Sequence, residues 1–366
     1  MRSTGTRSSS NFHSFALLLA IAIVVTSVRS ADVEAQEVSG PTIGVSAVPA
    51  NYSDYSADWY DVFQRAQALG AEVVQIPAEF WYEAESPDGE YAWSTDTEWF
   101  RTIWENDFSF RISKDFPGPF FHDQIMAPGD VSFTAFTETK FLRRYFRMID
   151  AYVDNLGPAT DYILIHAEGA YNYFDQHPEQ LEDFADFLRR VRRRIRERAP
   201  HIRVAVNIDP HNEDIVLKTI ASVVDFVSFD VMRTPGLIET PHQLRAEINR
   251  LLNVVGNRKI AVAVYWSTSS VDGGSDASQK AAFEATLQTV SQRQGRFEYV
   301  VFGNIFDDDV DMLTDAFAQI FSFLPLDFAA EIADSQAGQG IIRTDGTVKP
   351  SWWALRRGIS ELKASR

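Results

Sequence analysis

Eight short apolar runs, each followed by a stretch of helical periodicity, occupy the sequence between residue 42 and about residue 306. Runs this short and this apolar read as strands covered on both faces, the condition of a parallel sheet. Parallel neighbours require right-handed helical crossovers, and eight such units in succession close into a single (β/α)8 TIM barrel of the α/β class. A doubly wound open sheet is the alternative. Against it, no Gly-x-Gly-x-x-Gly or phosphate-cradling glycine loop follows any of the strands. No internal repeat and no linker divides the chain.

The strands are expected at Thr42–Pro49, Glu72–Pro77, Phe108–Ile112, from Tyr162 to the polar tip at Glu168, Val204–Asp209, Phe226–Asp230, Ile260–Trp266 and Tyr299–Phe306. Helices are expected over Asp58–Leu69, Thr97–Asn106, Phe141–Leu156, Pro178–Arg198, Glu213–Ser222, Pro241–Leu252 and Ala277–Arg293. The first of these stops at Gly70, as helices often do. Enlarged loops follow strands two and three. Seven arginines crowd Arg189–Arg198; with acids upstream on the same helix they read as a solvated outer face that complements the helix dipole.

Composition narrows the partners. The formal net charge of −17 disfavours nucleic acid and anionic membranes. With no cysteine there are no disulfides, thiolate metal sites or cysteine nucleophile. No His-Glu-x-x-His or calcium-loop spacing occurs, so neither metal nor cofactor is expected, and no Gly-x-Ser-x-Gly elbow marks a serine hydrolase. At the N-terminus, Arg2 and Arg7 precede the apolar run Phe15–Val25, with small residues at Val28-Arg29-Ser30 and again at Val33-Glu34-Ala35. This reads as a signal peptide over residues 1–30, then a loose leader over 31–40 and a barrel over 41–366. A secreted or periplasmic protein without stable membrane insertion is the expectation, since the apolar run is short for a bilayer span.

In a barrel, polar residues at strand carboxyl ends converge on one face. Here they are Ser46; Glu79 and Trp81; Lys114 and Asp115; His166 and Glu168; Asn207 and Asp209; Asp230; Trp266; and Asn304 with Asp307-Asp308-Asp309. Carboxylates beside Trp and Tyr suit sugar recognition: aromatic faces stack on the ring while acids and amides bind hydroxyls, and two carboxylates across a glycosidic bond hydrolyse it. The chain holds 27 Phe, 12 Tyr and 8 Trp, enough for a core and a groove together. Trp81, Tyr82, Trp93, Tyr171 and Trp266 are the aromatic candidates for a neutral glycan, with Glu79, His166, Asn207 and Asn304 as polar ones.

Four segments carry a family resemblance. Trp81–Tyr91, with Glu83, Glu85-Ser86-Pro87 and Gly89, is similar to the segment after strand two in retaining (β/α)8 glycoside hydrolases of clan A type. Ile165-His166-Ala167-Glu168-Gly169 resembles their strand-four segment, whose glutamate is the general acid/base. Tyr265-Trp266-Ser267-Thr268-Ser269, followed by Gln279, resembles their strand-seven segment. Ile341–Gly346 with Lys349-Pro350-Ser351-Trp352 resembles the turn leading into their last helix. The resemblance implies Glu168 as general acid. Two positions depart from the pattern: Ala167 stands where an asparagine precedes that glutamate, and Ala263 stands where the strand-seven nucleophile glutamate belongs. A methyl group cannot attack an anomeric carbon. Three readings follow: a glycosidase with a relocated second carboxylate at Asp230, Asp209 or Asp307; a catalytically inactive homologue that binds glycans; or a barrel turned to another hydrolysis or a scaffold role.

Overall fold

Strands β1 (Thr42–Ser46), β2 (Val73–Ile76), β3 (Arg111–Phe116), β4 (Thr160–Ala167), β5 (Arg203–Ile208), β6 (Phe226–Met232), β7 (Ile260–Tyr265) and β8 (Phe297–Phe306) pair in chain order. Every pairing is parallel, and β8 closes on β1 through Thr42–Tyr299 and Ser46–Asn304. The result is an eight-stranded (β/α)8 barrel. This computed structural model describes residues 40–47, 59–77, 81, 85, 90–91, 106, 108–121, 124–156, 159–167, 169–234, 236–270, 273–320 and 326–366. The expected signal peptide, most of the helix expected from Thr97, and Glu79, Tyr82, Trp93 and Glu168 lie outside the described residues.

The helices covering the strands are α1 (Trp59–Leu69), α2 (Thr139–Val153), α3 (Ala170–Gln176), α4 (Leu181–Arg198), α5 (Asp214–Val223), α6 (Pro241–Val254), α7 (Asp276–Gln292), α8 (Val310–Ile320), α9 (Leu326–Ala337) and α10 (Pro350–Ala364). The buried stripes of most of these helices belong to the core that covers the strands. On α4 the stripe is Phe184, Leu188, Val191 and Ile195. The arginines of α4 lie on the other side and pair with acids: Arg192 and Arg196 grip the buried Asp225, and Arg194 holds Asp150. No described helix is long and apolar enough to cross a membrane.

The elements depart from the sequence reading in several places. β3 begins at Arg111, not Phe108, because Phe108 and Phe110 stack on each other and against Phe63 of α1. The strand runs on to Phe116, so Lys114 and Asp115 lie inside it. A separate short helix, α3, follows β4. Finally, a ninth strand, β9 (Gly340–Ile342), extends the sheet beside the end of β8. The long connection from Pro117 to Glu138 carries a two-stranded hairpin, Phe120–Phe121 with Gln124–Ile125.

Among the described residues the apolar side chains form two cores of the barrel, besides a small cluster of Leu313, Ala333 and Ala337 between α8 and α9. The larger lies between strands and helices, and the smaller fills the barrel with Val73, Tyr162, Leu164, Ala205, Phe226, Ala261, Ala263, Tyr299 and Val301. This interior plug forms the floor on which the mouth is built.

Candidate active site at the barrel mouth

Side chains alternate along a strand, so each residue two positions beyond an interior one also points inward. Counting up from Val73, Leu164, Ala205 and Ala263 reaches Gln75, His166, Asn207 and Tyr265. From Ser113 and Ser228, both wholly buried, the count reaches Asp115 and Asp230. Ser46 completes the layer from β1. Seven strands thus contribute polar groups to a single ring above the apolar floor.

These groups hold one another. Gln75 Nε2 donates to both carboxylate oxygens of Asp115 at 3.2 Å. Burial pushes the Asp115 carboxyl up to about 6, opposed by His166, by the Gln75 bond and by Lys114. Asn207 Nδ2 donates to Asp230 Oδ2 at 2.9 Å. Tyr265 bonds the Ser46 side chain; burial, and then the Asp230 and Asp115 carboxylates, push its phenol well above the ordinary value, so it is neutral. Beneath, the Ser113 and Tyr299 hydroxyls meet at 2.8 Å. His166, Asn207, Ile208, Asp209, Asp230 and Met232 line a cavity of about 30 Å³, room for a water molecule.

Of the three carboxylates considered as partners for Glu168, Asp230 faces this cavity directly. Asp209 lines it too, but its Oδ2 accepts the backbone N–H of Gly169 at 2.6 Å. Gly169 has φ +73°, a left-handed conformation that favours glycine, and it opens α3. Asp307 has a partner of its own. Its carboxylate is bound at 2.6 Å by Lys349 Nζ, a wholly buried ammonium that also contacts Thr268 Oγ1 and the Gly338 carbonyl. That group of bonds ties β8 to the segments after β7 and before α10. Asp309 instead caps α8, accepting the Met312 N–H at 3.0 Å.

Two of the tryptophans named above are buried. Trp81 is wholly buried, edge-on to Phe141 and Tyr145, and donates its indole N–H to Glu85 at 2.7 Å. Arg144 holds the other oxygen of Glu85. Trp266 is wholly buried as well, its N–H 3.3 Å from Ser278 Oγ and its ring beneath the Arg233 guanidinium. Neither ring has a face to offer a sugar; both anchor loops. Tyr171, on α3, does keep an exposed ring. Asn304 is buried beside Ser46 in the ladder, and its side chain bonds Asp308.

Gln75 was not among the strand-end candidates, and Asp115, though named there, was placed beyond the strand and not inside it. Asp115 was within reach of an inward count from Ser113, had β3 been placed correctly. Among the described residues, no group of three or more His, Asp or Glu could hold a metal ion.

No protein-family model matches the sequence, and no curated protein matches it significantly. Solved structures do match. The exo-β-1,4-mannosidase Op5Man5 from an Opitutaceae bacterium superposes over 89% of this chain with TM-score 0.66 and 14% identity. A GH5_18 protein from Streptomyces cattleya, in complex with GlcNAc, superposes over 89% with TM-score 0.67 and 13% identity. Xylanase 10B from Thermotoga maritima covers 89% with TM-score 0.60 and 13% identity. The chain has the fold of clan A glycoside hydrolases. It spans 60% of the length of the mannosidase, 81% of the GH5_18 protein and 97% of the xylanase. Ala263 faces the apolar interior opposite Asp230 in the β6–β7 ladder.

Proposed function

We propose that this protein is an exported glycoside hydrolase in which Glu168 is the general acid and Asp230 the second carboxylate. The observation that carries the reading is Asp230 itself. It is half-buried, inward-facing, oriented by Asn207, and part of the same cavity wall as His166, two residues before Glu168. Asp209 and Asp307 already have structural duties. A general acid must hold a proton near neutral pH, and burial in this mouth already pushes one carboxyl, that of Asp115, up to about 6. Asp230 would activate water or stabilise the cationic sugar as the bond breaks.

Ala263 favours a second reading, glycan binding without turnover. The test separates them. Purified wild type is incubated with oligosaccharide panels, and new reducing ends are measured beside binding. Hydrolysis that falls about 10²–10⁴-fold in both Glu168→Gln and Asp230→Asn, with binding retained, supports the enzyme. Binding without release of reducing ends supports the second reading, and unchanged turnover in either variant rejects the assignment of that residue. Export is tested by the intact mass of the mature chain, which loses its N-terminus if the signal is cleaved.

A further inference from the structure

Arg233 follows β6 directly, one residue beyond Met232 of the cavity wall. Its backbone N–H bonds the Tyr265 carbonyl, so the residue sits where β6 and β7 end side by side. Its guanidinium lies over the Trp266 ring, 5.9 Å from the centroid. Stacking uses the flat face of the group and leaves the in-plane donors for something else. Nε and Nη1 are both shielded from water and have no hydrogen-bond partner among the described residues. Other half-buried arginines carry ion pairs. Arg144 is held by Glu85 and Asp130, and Arg192 by Asp225.

A shielded guanidinium with idle donors is costly to maintain, because it has lost hydration without gaining an acceptor. In a chain of net charge −17, acids to neutralise it are abundant, yet among the described residues none is bonded to its Nε or Nη1. The Nη2 end runs along the loop after β7, where Gly273 (φ +70°) presents no side chain; a methyl there would stand 3.4 Å from Nη2. That end is the approach by which an acceptor reaches the fork.

We propose that Arg233 receives the carboxylate of a uronic acid unit in the glycan, bound across the rim where β6 and β7 end. This rests on the carbohydrate reading above and departs from the neutral glycan that net charge suggests. The departure is physical. Long-range repulsion from the acidic surface is screened beyond about 10 Å at 0.1 M salt, whereas a shielded ion pair at contact is screened far less. A planar fork also fits a carboxylate with two parallel bonds, which neutral hydroxyls cannot reproduce.

The test uses uronate oligosaccharides from galacturonan, alginate and glucuronoxylan, each beside its carboxyl-reduced counterpart, which keeps the linkages and loses the charge. Affinity is measured calorimetrically with the full protein in 0.1 M salt. At least one uronate ligand is expected to bind tenfold or more tightly than its reduced form. Arg233→Gln abolishes that preference without weakening the reduced ligand, and Arg233→Lys restores part of it. Equal affinity for both forms overturns the inference while leaving the carbohydrate reading intact. Binding of neither form across this panel and the neutral one overturns both. A preference that survives in a folded Arg233→Gln removes the assignment to this residue. Should that variant not fold, the wild-type comparison of native and reduced ligands decides alone.

Discussion

Asp209 Oδ2 accepts the Gly169 N–H at 2.6 Å, tying the end of β5 to the turn that carries the chain from Glu168 into α3. The bond spans 40 residues and joins a charged acceptor to a backbone donor at a left-handed glycine. It fixes where the residue after the proposed acid stands. Asp209→Ala is therefore expected to lower stability by about 1.5–3 kcal/mol and to reduce turnover further than the lost folded fraction explains. Asp209→Asn keeps an acceptor oxygen and is expected to be milder in both. Denaturation curves and turnover on the same preparations check this; activity that tracks only the folded fraction would reduce Asp209 to a stabilising role.

Asp115 predicts a pH dependence of stability. Its carboxyl rises from 3.8 to about 6 on folding, so the native state binds more protons than the unfolded one between those values. Its contribution is fully present below about pH 4 and is lost as pH rises through about 6. The displacement corresponds to about 3 kcal/mol. Asp115→Asn, which still accepts from Gln75, is expected to stabilise the protein by up to that amount at pH 7 and by nothing at pH 4. Urea midpoints across that range measure it. A variant no more stable than wild type at pH 7 contradicts the expectation.

The Lys349–Asp307 pair predicts strong coupling. Removing one member of a buried pair leaves the other uncompensated, costing about 3–5 kcal/mol. Lys349→Met and Asp307→Asn are each expected to be destabilising, and the double variant less so than their sum. If Asp307 is structural as described, Asp307→Asn retains turnover wherever it remains folded. A double-mutant cycle by chemical denaturation, with activity assayed beneath the unfolding transition, separates the two roles.

Gly118 predicts a steric effect at the same rim. It follows β3 and lies against β4 so closely that a Cβ would stand 1.6 Å from the His166 carbonyl oxygen. Gly118→Ala must push the two segments apart, and a loss of at least about 1–3 kcal/mol is expected. Because His166 lines the cavity, ligand affinity is expected to fall as well. Thermal melts and binding measured together test both consequences.

The order of strands and helices was legible because each element carries a local, periodic signal. Apolar runs such as Ile260–Val264 and stripes such as Phe184–Leu188–Val191–Ile195 state their own structure, and the parallel crossover rule converts their alternation into a barrel. The inward positions at each strand end followed from the same period of two. Where the strand was misplaced, as at Phe108–Ile112, Asp115 was read as lying beyond it, not inside it.

Tertiary structure alone decided what those positions do. Trp81 and Trp266 looked like sugar platforms because sequence reports an aromatic residue near a strand end but not what covers its ring. Asp307 looked catalytic until Lys349, 42 residues later, arrived against it. Asp209, Asp230 and Asp115 are alike in sequence and differ in their partners: Gly169, Asn207 and Gln75. Periodicity is fixed by the geometry of one element. Partnership depends on which distant segment the closed barrel brings within about 3 Å, and no local pattern encodes that.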